Sequence, residues 1–275
     1  VLRDQVTPDE IAALYLRASN WCAENGRLED AVRYALAANE PAVAGQVLVR
    51  HRMALMDTGQ WQRLDRLLEL LPAATVAQSP LLLSTRGFIA LQHGDPWEAI
   101  ALEQQATRVL ATFSSESEDY HVAQAESAVL RSLQDSLMGQ FARAAAKARS
   151  SLEQLFPQAL YIRAVATTLV AVNVQLAGNP EECDRILLEA LSDPGWTPGA
   201  RAVLLTSLCI ARFMRGDLNG VLETARDSLR FAQEFRLPEL LSMARYHLGT
   251  AHYLRNEWAQ AEPYLLALLE EPVVL

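Results

Sequence analysis

Residues 81–110 read LLLSTRGFIALQHGDPWEAIALEQQATRVL, two apolar runs of helical period on either side of His93-Gly94-Asp95-Pro96. Apolar side chains recurring every three or four positions share one face of an α-helix. Gly94 closes the first helix, because glycine enters the left-handed conformation of a helix C-cap without a side-chain penalty. Gly87, Ala99 and Ala106 are small where two helices cross closely, and large side chains there would push the pair apart. The stretch is a helical hairpin.

Outward from Gly94 the same grammar repeats. Gly26, Gly59, Gly94, Gly139, Gly178 and Gly216 stand 33, 35, 45, 39 and 38 residues apart, and Asn256 follows 40 residues after the last. A period of that size marks a solenoid, in which each unit buries its apolar face against its neighbours. Seven helix pairs are predicted: 11–25 with 28–38, 42–58 with 60–71, 80–93 with 96–111, 119–138 with 140–155, 158–177 with 180–191, 199–215 with 218–235, and 238–255 with 258–270. Pro72 and Pro80 bracket a break, since proline removes a helical donor and biases its predecessor to extended geometry. The acidic run Ser114-Ser115-Glu116-Ser117-Glu118-Asp119 accounts for the longest interval. Residues 192–199, with two prolines and two glycines around Trp196, form either a plain connector or a loop capping a groove. No sustained period-two alternation occurs, so the fold class is all-α.

Composition narrows the function. Hydrophobic residues make up 51% and charged residues 21% of the 275, a balance that can pack throughout and excludes disorder. A net charge of -9 leaves no chain-wide basic field for phosphate backbones, so no direct nucleic-acid contact is expected. Cys22, Cys183 and Cys209 are odd in number, scattered and set in apolar helices, which argues against a disulfide framework or a zinc site and for a reducing cytoplasm. No apolar run approaches the roughly 18 residues that cross a bilayer, so no membrane contact is expected. Val1-Leu2-Arg3-Asp4 carries neither an initiating Met nor a signal-peptide pattern, and Val273-Val274-Leu275 stops just after a helical pattern. The expectation is an excerpt of a longer cytoplasmic protein.

The single units resemble tetratricopeptide repeats: Gly87, Gly94, Ala99 and Ala106 occupy that repeat's small and turn positions. MGQFARAAAKA (138–148), RGDLNGVLETA (215–225) and RNEWAQAEPYL (255–265) keep the pattern loosely, and Arg86, Arg131 and Arg212 fall where the repeat prefers apolar residues. The resemblance implies a TPR-like helical-hairpin solenoid, a right-handed superhelix of about seven helix pairs. LYLRASNWCAENGRLEDAVRYALAANEPAVAGQVL (14–48), TGQWQRLDRLLELLP (58–72) and the repeat-like unit after Pro80-Leu81 together resemble the large ATP-dependent transcriptional regulators of the MalT type. That resemblance, clearest over 14–110, implies a single superhelical domain over 1–275, with 1–72 as two linker-like helix pairs and 80–275 as the repeat superhelix. It further implies an inducer-sensing role, with an NTPase domain and a LuxR-type helix-turn-helix elsewhere in the protein. No G-x-x-x-x-G-K-[ST] loop occurs, so no cofactor is expected in this segment and ATP only in the NTPase domain.

Catalytic devices are not visible. His51, His93, His121, His247 and His252 form no pair at three or four residues, and the five-residue step from His247 to His252 turns the rings to different directions. Acidic pairs such as Glu29-Asp30 and Glu181-Glu182 sit at helix starts, where the macrodipole favours them, and Glu270-Glu271 sits at the terminus. No G-x-S-x-G elbow is present. The chain is expected to bind rather than to catalyse.

Aligning the units on the turn residue places positions two, three, six, ten and thirteen before it on the concave face. At Gly94 these include Ser84, Phe88 and Gln92; at Gly178, Thr168 and Gln175; at Gly216, Thr206 and Phe213; at Asn256, Tyr246, Thr250 and Tyr253. This mixture of apolar side chains and uncharged hydrogen bonders suits a small, mostly uncharged effector. Tyr246 and Tyr253 either stack on such a ligand or pack against the next repeat. Asn173, Arg131 and Asp135 are polar groups in apolar helices that need partners, the last two either each other or a ligand. The alternative function is a scaffold whose groove grips a peptide or a partner domain.

Overall fold

The computed structural model describes residues 7–270. The Val1–Asp4 and Val273–Leu275 stretches and Glu271 of the terminal acidic pair lie outside the described residues. Among those described there is no strand, and seven helix pairs follow in order. They are α1 (Pro8–Glu24) with α2 (Leu28–Ala37), and α3 (Pro41–Asp57) with α4 (Trp61–Glu69). After the short α5 (Ala73–Ala77) come α6 (Pro80–Gln92) with α7 (Pro96–Leu110), α8 (Glu118–Leu137) with α9 (Phe141–Gln154), and α10 (Leu160–Leu176) with α11 (Pro180–Ser192). The last are α12 (Pro198–Met214) with α13 (Leu218–Phe235), and α14 (Pro238–Leu254) with α15 (Trp258–Glu270). The sequence read the interval between Pro72 and Pro80 as a break. It holds one helical turn, because Pro72 serves as the N-cap and nothing between the prolines opposes helix.

All six landmark glycines have positive φ, from 69° at Gly59 to 101° at Gly178, and Asn256 shares the region at 59°. The N–H of the residue after each landmark bonds to the carbonyl four residues before the landmark: Arg27 to Cys22, Gln60 to Leu55, Asp95 to Ala90, Gln140 to Asp135, Asn179 to Val174, Asp217 to Arg212 and Glu257 to His252, all at 2.8–3.1 Å. These are Schellman closures, which satisfy orphan carbonyls at the helix end and fix the exit direction of the chain. Five residues beyond each landmark the second helix turns a side chain inward: Ala31, Leu64, Ala99, Ala144, Cys183, Val221 and Ala261 are all at most 2% exposed. Turn geometry thus sets which face of the second helix is buried.

The chain divides into two compact units, one of residues 7–56 and 60–127 and the other of 57–59 and 128–270. The division falls within α8, and the 72–80 interval expected to separate two parts lies inside the first unit. In the first unit α2, α4 and α6 contact in succession, and α5 packs on α6 and α7. Arg63 of α4 grips Glu29 of α2 through Nε at 2.8 Å and Nη2 at 2.9 Å, and this guanidinium draws the Glu29 carboxyl down to about 2. Deeper, Arg52 of α3 meets Glu126 of α8 in a two-pronged pair at 2.5 and 3.0 Å, with both residues at most 2% exposed. Arg52 Nη1 also donates to Thr85 Oγ1 of α6 at 3.3 Å, so one guanidinium ties three first helices. In the second unit, small residues such as Ala164 and Ala171 of α10 and Ala200 and Ala211 of α12 surround Leu187, Leu204 and Leu208, letting α10 and α12 lie close. α12 in turn contacts α14.

A Cβ at Gly94 would meet nothing within 4 Å, so its substitution tests backbone strain alone. Gly94→Ala is expected to lower unfolding stability in urea by about 1 kcal/mol, and Asn256→Gly to raise it by roughly 0.5 kcal/mol. Two neutral results would remove the left-handed closure as a determinant. Removing one partner of a buried ion pair strands the other, so Glu126→Ala is expected to cost about 3–5 kcal/mol, whereas the apolar double replacement Arg52→Met with Glu126→Leu should fall within about 1 kcal/mol of the parent. Equal losses in the single and double variants would show that the pair contributes net stability.

Candidate functional site

In the second unit the first helices α10 and α12 carry uncharged polar groups bonded helix to helix. Ser207 Oγ of α12 donates to its own Val203 carbonyl at 2.7 Å, so the 2.9 Å contact with Thr168 of α10 has the threonine hydroxyl as donor. Gln175 Nε2 donates across to the Ala211 carbonyl at 2.9 Å, and Asn173 Nδ2 donates back to Leu169 at 2.7 Å. Half of each amide is left over: Asn173 Oδ1 and Gln175 Oε1 are buried without a hydrogen-bond partner. A buried polar atom in that state costs about 1–3 kcal/mol.

His247 of α14 goes further. The residue is 4% exposed and both ring nitrogens lack a partner. Its neighbours are aromatic, with the Phe213 ring of α12 at 6.3 Å and the Tyr246 ring at 5.4 Å. Burial without a countercharge pushes the imidazole down to about 4, so the ring is neutral at physiological pH. On α12 and α14, Ile210, Met214, Tyr246, Tyr253 and Leu254 are each more than a third exposed, and Tyr253 stands edge-on to Trp258 at 4.9 Å. At 100° per residue, Met243, Tyr246, His247, Thr250, Tyr253 and Leu254 lie within one helical face, with His247 at one edge of it.

The positions selected from the sequence divide. Thr168, Gln175, Thr206, Phe213, Thr250, Tyr246 and Tyr253 all belong to this face of the second unit and are at least partly accessible. Ser84, Phe88 and Asn173 are corrected: each is 0% exposed and faces neighbouring helices rather than a groove. In α6 every residue from Pro80 to Ala90 except Arg86 is buried, since this helix is covered on more sides than the alignment allowed. Gln92, at the end of the same helix, is half-buried. Arg131 is half-buried on α8, while Asp135 ion-pairs with Lys147 at 2.5 Å and Arg143 at 3.4 Å, both of α9. Trp196 donates to the Ala190 carbonyl at 2.7 Å and packs on the α10–α12 core, which makes its loop a connector.

Two clefts in the second unit lie away from the selected face. One of about 720 Å³ is lined by Arg212, Arg226 and Arg255, by Asp217, Glu223 and Glu257, and by His252. The other, about 430 Å³, has a floor of Leu188, Leu191, Leu205, Leu208 and Phe231 between α11 and α13, with Arg201, Arg230, Asp227 and Glu234 around it. Arg212 and Glu223 line both. Arg212 Nη1 donates to Thr224 Oγ1 at 2.6 Å and to the Gly220 carbonyl at 3.0 Å. A Cβ on Gly220 would stand 2.8 Å from the Arg212 side chain, so the glycine leaves room for that crossing. In the first cleft Arg255 and His252 both engage Glu257, at 2.8 and 2.6 Å. The sequence signal for these groups is the position four before the turn residue, apolar at Cys22, Leu55, Ala90 and Val174 but Asp135, Arg212 and His252 elsewhere.

Among the described residues no group of three or more His, Cys, Asp or Glu could hold a metal ion, and no helix is long and apolar enough to cross a membrane. All three cysteines are buried, and burial raises the thiols of Cys183 and Cys209 to about 11 and about 12.

No protein-family model and no curated protein matches the chain. Among solved structures, the apo form of RapI aligns over 94% of this chain and 75% of its own, at 13% identity and a TM-score of 0.48.

Because the folded ring of His247 titrates near 4 and a free histidine near 6.5, the unfolded chain takes up a proton that the folded chain refuses. Stability is therefore undiminished above about pH 6.5 and falls as pH drops toward 4, by up to about 3 kcal/mol from this residue. The stability difference between parent and His247→Leu, followed by urea unfolding from pH 7 to pH 4, should shift progressively in favour of the variant. A constant difference across that range would mean that the buried ring does not resist protonation.

Proposed function

We propose that this chain is a non-catalytic sensing module whose second unit binds a small, mostly uncharged effector on the face formed by α10, α12 and α14. The observation that carries this reading is the company of unspent neutral hydrogen-bonding groups (Gln175 Oε1 and both nitrogens of His247) with exposed aromatic and aliphatic side chains. No charged residue occupies the selected positions of these three helices, so a charged ligand would lose hydration without a partner there. The resemblance of 14–110 to MalT-type regulators supports a further step, in which the effector signals to an NTPase domain and a helix-turn-helix elsewhere in a cytoplasmic protein. ATP then belongs to that NTPase domain.

A second reading rests on the 430 Å³ cleft, where an apolar floor framed by both signs of charge fits an amphipathic peptide. In that case the chain is a scaffold, and its partner sits between α11 and α13 on a floor that α12 shares, away from the α10–α12–α14 face.

Thermal unfolding against a panel of sugars, organic acids and uncharged aromatic compounds discriminates the two. An effector present at a hundred times its Kd stabilises by about 2.7 kcal/mol, which is several degrees in melting temperature. The sensing reading expects at least one uncharged compound to do this, with the effect reduced in Gln175→Ala and Tyr246→Ala. A response confined to charged compounds, or one unaffected by those substitutions, would count against it.

A further inference from the structure

The unpartnered His247 ring has a consequence for ligand chemistry that the effector reading leaves open. A neutral imidazole carries one N–H donor and one bare nitrogen acceptor, and here neither is used although the residue is 4% exposed. An apolar side chain of similar size would fill the same place between Phe213 and Tyr246 with no polar atom to satisfy, so packing gives no reason for a histidine. The ring stands on the edge of the exposed stripe nearest α12, flanked by two aromatic rings, one of which, Tyr246, is 40% exposed. Flat aromatic walls beside a single edge-on hydrogen-bonding group are the elements of a site for a planar molecule: the walls take its faces, and the buried polar group takes its edge.

We infer that His247 is the specificity-determining residue of the α12–α14 face, and that its ligand is an uncharged planar aromatic or heteroaromatic molecule bearing a hydrogen-bonding edge group. This rests on the effector reading above and narrows it. Phe213, half-buried with its ring tilted 51° to the imidazole at 6.3 Å, must move aside for the ligand edge to reach an imidazole nitrogen. Discrimination follows from desolvation: a planar hydrocarbon of the same shape covers the same walls but leaves the imidazole unpaired, as it was before.

The test uses indole, which is planar, uncharged and carries an N–H, beside indene, its hydrocarbon counterpart. In protein labelled with ¹⁵N at histidine, saturating indole is expected to move the His247 imidazole nitrogen signals while those of His51, His93 and His121 stay in place. Indole should bind about tenfold more tightly than indene to the parent, a preference of about 1.4 kcal/mol. His247→Leu should abolish that preference while its melting temperature at pH 7 stays at or above the parent's. Unmoved His247 nitrogens at saturating indole, equal affinity for indole and indene, or no binding of indole at millimolar concentration would each overturn the inference. The effector reading survives these results if another compound of the thermal panel responds to Gln175→Ala and Tyr246→Ala with the His247 signals unmoved. Should His247→Leu fail to fold, the nitrogen spectra and the indole-to-indene comparison on the parent still decide.

Discussion

A single left-handed residue closes each hairpin, and the registers of both helices follow from it. Six glycines and Asn256 sit in that region, and after each of them the chain makes the same six-residue backbone closure. With the exit direction fixed, the side chain five positions on has nowhere to go but inward, whether it is alanine, as at Ala31 and Ala99, or leucine, as at Leu64. The size of that side chain then sets how near the two helices come. Conversely, the residue four before the landmark surrenders its carbonyl to the closure. Its side chain is free to vary, from Ala90 to Arg212 and His252, and there the second unit acquires its charged clefts.

Buried polarity separates structural from functional roles. The buried Arg52 and Glu126 of the first unit meet through two hydrogen bonds, which offsets much of their desolvation. Among the described residues, Arg52 Nε, Arg212 Nε and Asp135 Oδ2 also lack a hydrogen bond, but they belong to ion-paired groups, and the other leftover atoms are on neutral side chains. Ser84 and Ser127 keep a hydroxyl unspent, and Asn173 and Gln175 keep one half of an amide. His247 alone in this company keeps both of its ring nitrogens, and it does so next to exposed aromatic surface rather than in closed core. A residue that gives up stability where a leucine would not is more readily explained by a ligand than by the fold.

Much of the architecture was legible because glycine spacing and helical period are local signals. The seven pairs needed only Gly26 through Gly216 and the recognition that Asn256 can stand in for a glycine. The facing of individual side chains was less legible, because it depends on how many neighbours cover a helix. Phe88 and Ser84 satisfy the same positional rule as Phe213 and Thr206, yet α6 is enclosed nearly all round while α12 is not. Asp135 illustrates a different limit. Its partners Arg143 and Lys147 lie eight and twelve residues downstream on the paired helix, beyond the i,i+4 relation that singled out Arg131. For His247 the limit is the opposite one: spacing to His252 says nothing of a ring whose distinguishing feature is that neither nitrogen has a partner.

In a repeat protein, stability is shared between each unit and the interfaces joining it to its neighbours. A ligand bound as proposed between Phe213 of α12 and Tyr246 of α14 would act on one such interface directly, because the two helices belong to successive pairs. It changes an equilibrium only to the extent that it binds one arrangement of that interface better than another. On the proposal above, the unspent imidazole would supply that difference. As it stands beside Phe213 the ring is buried and unpaired, and on that proposal a ligand edge would pair with it only where Phe213 is displaced, so the ligand's hydrogen bond would be available in only one of the two arrangements. By linkage, any partner that holds the α12–α14 interface in the second arrangement must raise affinity for the ligand by the same factor as the ligand raises affinity for the partner.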